Sequence, residues 1–387
     1  MKRIFLFLCL FMYLAQPSSL LAEESQPNLD LKGKSLILIE QDTGKVLYEN
    51  NSDQPLPPAS MTKMMTLLLV AESLEEGRVS INDTVIVSEH AASMGGSQIF
   101  LEPNEEMSVD DLLKAVAIAS ANDASVALAE YIYGSEQAFI QAMNDKVAEL
   151  GLEQTHFQNT TGLPAEDHYS SAYDMAMIAR ELLKYEFITD YTSIYEDYLR
   201  KGTEDEFWLV NTNRLVKFYP GVDGLKTGFT QEAKYCLTAT AKKDNMRLIA
   251  VVMGAESPKE RNATISRLLD FGYAQFQLQQ LYTTEQTITD MEIIKGEVNR
   301  IDVYPKENAS ILTKKGEDLS LIETKIEIND QIMAPIKKDE VVGSLEIYLN
   351  DQLIESVDLV AGSNVERANV WQLMADSFRR LVKVGKS

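Results

Sequence analysis

The apolar residues between positions 36 and 69 change from a strand pattern to a helical one. Two apolar runs, residues 36–39 and 46–48, flank Asp42-Thr43-Gly44, which is the pattern of a β-hairpin. After Pro58 the apolar positions recur at helical spacing, and one face carries Met61, Met64, Met65, Leu68 and Leu69. This spacing predicts a helix that begins close to Ser60 and packs that face into a core.

A long helical region follows, and strands return after it. Helical segments are expected at residues 109–118, 125–132, 137–150 and 172–183, with helical character as far as about Tyr191. Strands are expected at residues 208–210, 224–229, 235–241 and 247–253, and a closing helix from Lys259 towards Phe276. Strands on both sides of a helical insertion predict one antiparallel sheet flanked by helices, an α/β (α+β) domain over residues 23–276.

The C-terminal third of the chain has a different texture. Residues 277–362 contain short alternating stretches, such as 301–304, 326–328 and 344–348, which predict a smaller all-β domain. Residues 363–387 open with the capping-box spacing of Ser363 and Glu366, and then place Trp371, Met374, Phe378 and Leu381 at helical spacing. Basic residues accompany that apolar face, so an amphipathic helix on a membrane surface is expected; docking on the β domain is the alternative.

The first 22 residues have the pattern of a signal peptide. Lys2 and Arg3 precede an apolar run at residues 4–15, and Ala22 is a small residue suited to cleavage. We therefore expect an exported protein. Removal of the signal peptide leaves Cys236 as the remaining cysteine, so the stability of the protein must come from its core and not from an internal disulfide.

The charge balance and the histidines restrict the possible chemistry. Acidic residues outnumber basic ones by 59 to 36, for a formal net charge of -23, and such a surface repels nucleic acid. The three histidines, His90, His156 and His168, lack the spacing of a helical zinc pair. No Gly-x-Ser-x-Gly turn indicates a serine–histidine triad. We expect structural histidines and neither a metal nor another cofactor.

Ser60-Met61-Thr62-Lys63 is the first candidate for chemistry. Residues three apart share a helix face, so the Lys63 amine is expected beside the Ser60 hydroxyl. The serine lies at the helix start, where free backbone N–H groups stabilise negative charge. To accept a proton near pH 7, Lys63 needs a pKa well below its usual value, which burial and a second cation could produce.

Ser120-Ala121-Asn122 is the second candidate, between two predicted helices. A hydroxyl there can relay a proton, and a carboxamide can orient the lysine or bind a substrate amide. Capping of the following helix is the alternative. Ser80-Ile81-Asn82 has the same spacing but follows Gly77 in a predicted loop, so we prefer the later copy.

Lys226-Thr227-Gly228 is the third candidate and falls in a predicted strand. A substrate could lie along this strand edge and place its carboxylate on the lysine, and Gly228 would permit the close approach. A solvated turn lysine is the alternative.

Taken in this order, the three motifs resemble those of the penicillin-recognising serine enzymes. Further stretches are similar to the low-molecular-mass penicillin-binding proteins that are serine-type D-alanyl-D-alanine carboxypeptidases, namely residues 42–45, 58–63, 159–164, 169–176 and 222–224. The resemblance is close over residues 34–276 and extends to the layout of the β domain and tail. It implies a penicillin-recognising serine transpeptidase/β-lactamase-like fold for the first domain.

The resemblance also implies a role for each candidate residue. Ser60 would be the acylated nucleophile, Lys63 its general base and Ser120 the proton relay. Substrate would bind to Asn122, Lys226, Thr227, Gly228 and Arg261, and the backbone N–H groups of Ser60 and Phe229 would form the oxyanion hole. Related enzymes have a histidine where this chain has Phe229, so only the backbone role carries over. For Arg261, a surface helix cation is the alternative.

The function implied by the resemblance is removal of the terminal D-alanine from peptidoglycan pentapeptide stems, with β-lactam antibiotics as covalent inhibitors. The enzyme would act at the outer face of the cytoplasmic membrane and contact it through the C-terminal helix. One alternative is a β-lactamase on the same fold, with Glu166 or Asp167 as the deacylating base. Another is a catalytically silent protein that binds the cell wall or the membrane.

Overall fold

A computed structural model of the chain describes residues 29–329 and 332–371. The predicted signal peptide, residues 1–22, lies outside the described residues, as do residues 372–387 of the predicted amphipathic helix. The first domain contains the following strands: β1 Ser35–Glu40, β2 Val46–Asn50, β3 Thr84–Ile86, β4 Glu106–Ser108, β5 Glu196–Leu199, β6 Phe207–Val210, β7 Val222–Thr230, β8 Lys234–Lys243 and β9 Met246–Ala255. Its helices are α1 Lys63–Glu75, α2 Glu89–Ala92, α3 Val109–Lys114, α4 Asn122–Tyr133, α5 Glu136–Glu149, α6 Ala172–Leu182, α7 Ile188–Thr192, α8 Leu215–Phe218 and α9 Pro258–Gln275.

The centre of this domain is a five-stranded antiparallel sheet in the order β2-β1-β9-β8-β7. Alternate residues of β1 enter two cores, one on each face of the sheet. Ile37 and Ile39 face the core built by α1, α4 and α6, whereas Leu36 and Leu38 face the core built by α9. The predicted antiparallel sheet flanked by helices is confirmed, and β7 lies at its edge.

Helix α1 is buried all round, not on one face only. Leu67 and Val70 are as inaccessible as the residues of the predicted face, because α1 lies between the sheet and the other helices. A helix that is apolar around its whole circumference is stable only in such a position. Because α1 is held on all sides, the residues at its N-terminus also have a fixed position.

The predicted helix at residues 109–118 changes geometry before it ends. After α3, residues Ala115–Ala119 form a π-helical turn that stops at Ser120, whose backbone is left-handed (φ 64°, ψ 35°). Helix α4 begins two residues later, at Asn122. Single π turns are frequent at functional sites, and this one presents Ser120 at a sharp break between two helices.

The second domain is all-β, as predicted. Its strands are β10 Phe276–Tyr282, β11 Thr289–Glu292, β12 Arg300–Pro305, β13 Ala309–Lys314, β14 Ile322–Ile328, β15 Val341–Leu349 and β16 Gln352–Ala361. β10 pairs with β13, and the other five form an antiparallel sheet in the order β11-β12-β16-β15-β14. Inward-facing residues such as Val303, Leu345 and Leu359 form its core.

The predicted start of the C-terminal helix is wrong. Ser363 to Glu366 form no helix start; instead Val365 pairs with Ile336, and Arg367 pairs with Gly296, as isolated antiparallel bridges. Val365 is buried in the core of the β domain, and that burial outweighs a local capping signal. Helical residues are described at Val370 and Trp371 only. Among the described helices, none combines the length and the apolar character needed to cross a bilayer.

Candidate active site

Ser60 lies on a strained 3-10 turn, Ala59–Thr62, directly before α1. Ala59 has a left-handed backbone (φ 48°), which costs a non-glycine residue about 1–3 kcal/mol unless its surroundings hold it there. Two glycines provide those surroundings. A β-carbon on Gly162 would lie 1.8 Å from the carbonyl oxygen of Ala59, and one on Gly228 would lie 2.7 Å from that of Pro58. The serine turn is therefore clamped between the loop at residue 162 and strand β7.

Lys63 is completely buried beneath Ser60. Its Nζ lies 3.2 Å from Ser60 Oγ, 2.6 Å from Asn122 Oδ1 and 2.6 Å from the carbonyl oxygen of Thr161. A neutral amine has two N–H groups and one lone pair. The oxygens of Asn122 and Thr161 accept the two N–H groups, so the lone pair faces the hydroxyl of Ser60. Burial, and then the charge of Lys226, hold the pKa of Lys63 well below its usual value, although the charge of Asp123 opposes them.

Asn122 is oriented by its second hydrogen bond. Its Nδ2 donates to the carbonyl oxygen of Gly95 at 2.6 Å, which turns Oδ1 towards Lys63. A β-carbon on Gly96 would lie 2.8 Å from that Nδ2, so the chain passes closely only because residue 96 is glycine. The N-cap of α4 is Ala121, whose methyl group cannot accept a hydrogen bond, so Ser120 and Asn122 do not serve as helix caps.

The structure separates the two copies of the Ser-x-Asn pattern. Ser120 is buried and lines the same cavity as Ser60, a space of about 540 Å³. Ser80 lies in the loop before β3, where its hydroxyl accepts the backbone N–H of Asn82, and it lines a different cavity. The later copy is thus the one that lies beside the Ser-x-x-Lys turn.

Lys226 and Thr227 are buried residues of the edge strand β7. Burial, and then the charge of Arg261, lower the pKa of Lys226 to about 7. The hydroxyl of Thr227 donates to Thr212 Oγ1 at 2.7 Å, and both threonines line the cavity. A solvated turn lysine is excluded, because Lys226 is in a strand and almost inaccessible.

Gly228 serves the protein's own backbone. Besides the Pro58 carbonyl oxygen, the atoms nearest to its β-carbon position are the β-carbon of Ala59, at 3.1 Å, and the backbone nitrogen of Ser60, at 3.2 Å. The close approach predicted for a substrate is therefore already required by the turn that carries Ser60. It brings the N–H end of that turn against the edge of β7.

Arg261 and Phe229 line the same cavity as Ser60. Arg261 is buried on α9, and this burial lowers its pKa to about 10, so it is not a surface helix cation. Phe229 is 47% exposed, and its ring packs on Tyr235 with centroids 4.5 Å apart. The phenyl group thus forms part of the cavity rim.

Sequence reasoning missed the acceptor that Thr161 provides. Asn159 Oδ1 accepts hydrogen bonds from the backbone N–H groups of Thr161 and Gly162, at 3.1 and 2.7 Å, and its Nδ2 donates to Leu163. This turn directs the Thr161 carbonyl to Lys63. Asn-x-x-Gly is a recognisable turn signal, but it does not reveal which side chain the carbonyl meets.

Asp123 is a second residue that the motifs did not reveal. Its buried carboxylate accepts the backbone N–H groups of Ile99, Leu101 and Ala124, at 3.0, 3.1 and 2.9 Å. Burial raises the pKa of this carboxyl despite those bonds. Asp123 therefore ties the chain at residues 97–101 to α4 beside the cavity.

The histidines make structural contacts, as expected. His168 Nδ1 accepts the backbone N–H of Gln158 at 3.0 Å, so its Nε2 donates to Thr62 Oγ1 at 2.8 Å. Burial lowers the pKa of His168 to about 4. His90 contacts Glu136, and His156 contacts the carbonyl oxygen of Asp167.

Cys236 is a buried packing residue of β8. Its Sγ lies 3.4 Å from the carbonyl oxygen of Ala233, and burial raises the pKa of the thiol to about 11. Glu166 and Asp167 are exposed and line a cavity that includes Gly162 and His168 but neither Ser60 nor Ser120.

Comparison with known proteins assigns this arrangement to a family. Residues 21–257 match the peptidase S11 model, described as D-alanyl-D-alanine carboxypeptidase. The chain belongs to the D-alanyl-D-alanine carboxypeptidase family. Residues 276–367 of this family member match a second model, the C-terminal domain of penicillin-binding protein 5. Both the resemblance read from the motifs and the two-domain fold are confirmed.

Individual relatives agree with this assignment. The D-alanyl-D-alanine carboxypeptidase DacF of Bacillus subtilis is 54% identical over 91% of each chain. Penicillin-binding protein 5 of Haemophilus influenzae superposes with a TM-score of 0.70 and 32% identity, over 87% of this chain and 98% of the other. Penicillin-binding protein D2 of Listeria monocytogenes, solved in an ampicillin-bound form, gives a TM-score of 0.58 and 29% identity over 64% of this carboxypeptidase and all of that chain.

Proposed function

We propose that Ser60 is the nucleophile of this serine-type D-alanyl-D-alanine carboxypeptidase and that the substrate is the pentapeptide stem of peptidoglycan. The observation that carries this proposal is the contact of Lys63 Nζ with Ser60 Oγ, at 3.2 Å, in a position where burial and a second cation favour the neutral amine. A neutral lysine is a base strong enough to activate a serine without histidine.

Acylation begins when Lys63 takes the proton of Ser60 Oγ, which attacks the carbonyl carbon between the last two D-alanine residues. The negative charge that develops on the carbonyl oxygen is stabilised by the backbone N–H groups of Ser60 and Phe229. Each such donor is worth a factor of roughly 10² to 10³ in rate. Ser120 gives its hydroxyl proton to the leaving nitrogen and takes the proton held by Lys63, so the C–N bond breaks, D-alanine departs and Lys63 is neutral again.

The cationic end of the cavity selects a free C-terminus. Thr227 and Arg261 line this cavity, and Lys226 is buried next to Thr227 in β7. Together these residues would provide two positive charges and a hydroxyl for the terminal carboxylate of the substrate. The bound carboxylate restores the charge of Lys226, whose pKa of about 7 in the empty cavity reflects burial and the neighbouring arginine. Asn122 Oδ1 already accepts from Lys63, so the contact of Asn122 with the stem would be donation from the second hydrogen of its Nδ2.

Deacylation returns the enzyme to its resting state. Water attacks the acyl-Ser60 ester and gives a proton to Lys63; the ester C–O bond then breaks, Lys63 returns the proton to Ser60 Oγ, and the shortened stem leaves. A β-lactam enters the same reaction with a strained amide whose leaving nitrogen stays attached to the acyl group, so the ester persists. The ampicillin-bound form of the Listeria relative supports this inhibition.

The proposal is tested by intact-mass measurement after treatment with penicillin, together with an assay of D-alanine release from a stem pentapeptide. The wild type should gain one penicillin and release D-alanine, whereas Ser60→Ala should fold normally and do neither. Ser80→Ala is the matched control, because Ser80 belongs to the other Ser-x-Asn copy and should leave both results unchanged. A Ser60→Ala protein that still releases D-alanine would contradict the proposal.

The two alternative functions receive less support. A β-lactamase needs a base that activates the deacylating water, and Glu166 and Asp167 line a cavity separate from that of Ser60 and Ser120. Rapid turnover of penicillin, in place of stable labelling, would reverse this preference. A catalytically silent wall- or membrane-binding protein would not require the buried set of Lys63, Asn122 and Lys226.

We also propose an exported enzyme that contacts the outer face of the cytoplasmic membrane. The signal-peptide pattern and the proposed substrate support export. Membrane contact is proposed for residues 370–387, where Trp371 is 80% exposed at the end of the β domain. Cosedimentation with vesicles of anionic phospholipid, compared between the full chain and a chain that ends at residue 369, tests this contact; equal binding of both would contradict it.

A further inference from the structure

A pair of exposed aromatic residues extends from the catalytic cavity along the hairpin of β5 and β6. Val210, the last residue of β6, lines the cavity together with Ser60. Trp208 precedes it by two residues and so lies on the same face, and Tyr198 is the cross-strand partner of Trp208. Trp208 is 54% exposed and Tyr198 is 43% exposed. We call these two side chains the aromatic ledge.

The hairpin that carries the ledge is firmly held. Arg200 donates to both carboxylate oxygens of Glu105, at 2.7 and 3.1 Å, and to the carbonyl oxygen of Ile99 at 3.0 Å. Phe207 packs edge to face against Phe100, with ring centroids 5.9 Å apart. Phe207 directly precedes Trp208 and therefore lies on the opposite face of β6, so its contact holds the hairpin in place and leaves the ledge exposed.

Phe100, which contacts Phe207, has a strained backbone. Its backbone is left-handed (φ 58°), which is costly for a bulky residue. The residues on both sides, Ile99 and Leu101, donate their backbone N–H groups to Asp123 and so force Phe100 outward. A strained aromatic residue that supports the hairpin beside an active site indicates a constraint of function.

The charge around the ledge restricts what it can bind. The turn between β5 and β6 carries three exposed acids, Glu204, Asp205 and Glu206, against one exposed lysine, Lys201, which is paired with Asp197. Glu196 shares the face of Trp208, so the charge around the ledge is mainly negative. Carboxylates repel anionic lipid and nucleic acid, but they accept hydrogen bonds from hydroxyl and amide groups. The C–H face of a pyranose ring is apolar and slightly positive, and it complements the negative face of an aromatic ring. The ledge therefore suits a neutral saccharide.

We propose that the aromatic ledge binds the amino-sugar backbone of the glycan strand to which the stem pentapeptide is attached. This inference rests on the proposed function and deepens it. The scissile bond lies between the last two residues of the stem, so four extended residues, about 13 Å, separate that bond from the glycan. Trp208 lies about 7 Å along the strand from Val210, within that reach.

The test compares two soluble substrates, a free stem pentapeptide and the same pentapeptide on the N-acetylglucosaminyl-N-acetylmuramoyl disaccharide. For the wild type, kcat/KM should be about three- to tenfold higher for the disaccharide substrate, through a lower KM. Trp208→Ala and Tyr198→Ala should remove this advantage and leave kcat/KM for the free pentapeptide unchanged. Trp371→Ala is the matched control: it removes an exposed tryptophan of the β domain and should retain the full advantage.

A conservative variant guards against loss of folding. Trp208→Phe should keep most of the advantage, and every variant should be acylated by penicillin at the wild-type rate. Because the chain has two tryptophans, Trp371→Phe leaves Trp208 as the only indole, and its fluorescence should change on titration with the peptide-free disaccharide. Equal kcat/KM for the two substrates in the wild type would overturn the inference while D-alanine release from the free pentapeptide still supports the proposed function. Absence of that release would instead overturn the proposed function itself.

Discussion

The charge of Lys226 lies close enough to Lys63 to lower the pKa of its amine. The two residues belong to different elements, β7 and the start of α1, and Lys226 is in turn influenced by Arg261 on α9. Three basic side chains from three elements are therefore coupled, and burial and the charge of Lys226 lower the pKa of the innermost one, Lys63. The pH dependence of the enzyme should report this arrangement directly.

Replacement of Lys226 by methionine should move the acid limb of Ser60 acylation to higher pH. Loss of the neighbouring charge raises the pKa of Lys63, so a higher pH is needed to deprotonate it. The measurement is the penicillin acylation rate as a function of pH. The midpoint of this profile is compared and not its amplitude, because loss of Lys226 also weakens binding of the penicillin carboxylate and so lowers the rate at every pH. Lys226→Arg keeps the charge and should keep the midpoint; a midpoint that Met leaves unmoved would count against the coupling.

The alkaline limb should belong to Lys226. With a pKa of about 7 in the free enzyme, its amine loses its charge as the pH rises through neutrality, and the substrate carboxylate then binds less well. kcat/KM for a stem pentapeptide should therefore decline above pH 7. In Lys226→Arg the guanidinium stays protonated, so the decline should disappear or move far to the alkaline side. A decline of the same midpoint in both proteins would assign the limb to another group.

Gly162→Ala should disable the serine turn. Its methyl group would lie 1.8 Å from the carbonyl oxygen of Ala59, a backbone atom that cannot move without displacing Ser60. We expect a penicillin acylation rate at least about 100-fold lower, since small displacements of reacting atoms cost that much. Gly151→Ala is the matched control: its backbone is also left-handed (φ 66°), but no atom lies within 4 Å of the new methyl group. It should cost only about 1 kcal/mol of stability and no activity.

His168 should make stability depend on pH between about 4 and 6.5. Its pKa is about 4 in the folded protein and 6.5 when unfolded, so the unfolded chain binds more protons in this interval. The free energy of unfolding should therefore fall as the pH decreases from 6.5 to 4, by about 3 kcal/mol in total. Denaturant titrations at several pH values measure this slope. His168→Gln should flatten it, whereas Thr62→Val, which keeps the imidazole, should not.

The parts of the site that sequence reasoning could predict are those set by local geometry. Ser60 and Lys63 are one helical turn apart, so their contact follows from helix spacing. The need for a second cation followed from the low pKa that Lys63 requires as a base. Which cation it is depends on how β7 packs against α1, and spacing carries no such information. The resemblance to the family identified Lys226 and Arg261 as candidate residues. That both are buried could be seen only in the folded structure.

Other features depend on tertiary contacts that outweigh local signals. Thr161 contributes a backbone carbonyl, which every residue possesses, so no residue type marks it. Ser363 and Glu366 have the spacing of a helix cap, yet the burial of Val365 in the β domain holds that segment extended. The π turn before Ser120 likewise has no distinctive composition, although it decides where that hydroxyl points.

The thiol of Cys236 has a chemical consequence for the environment in which the enzyme operates. With a pKa of about 11 and no solvent contact, roughly one molecule in ten thousand carries the reactive thiolate at neutral pH. Oxidants and thiol reagents should therefore leave Cys236 unmodified. The catalytic domain can mature without the help of disulfide-forming enzymes, and a shift in external redox potential should not alter the rate at which it trims its substrate.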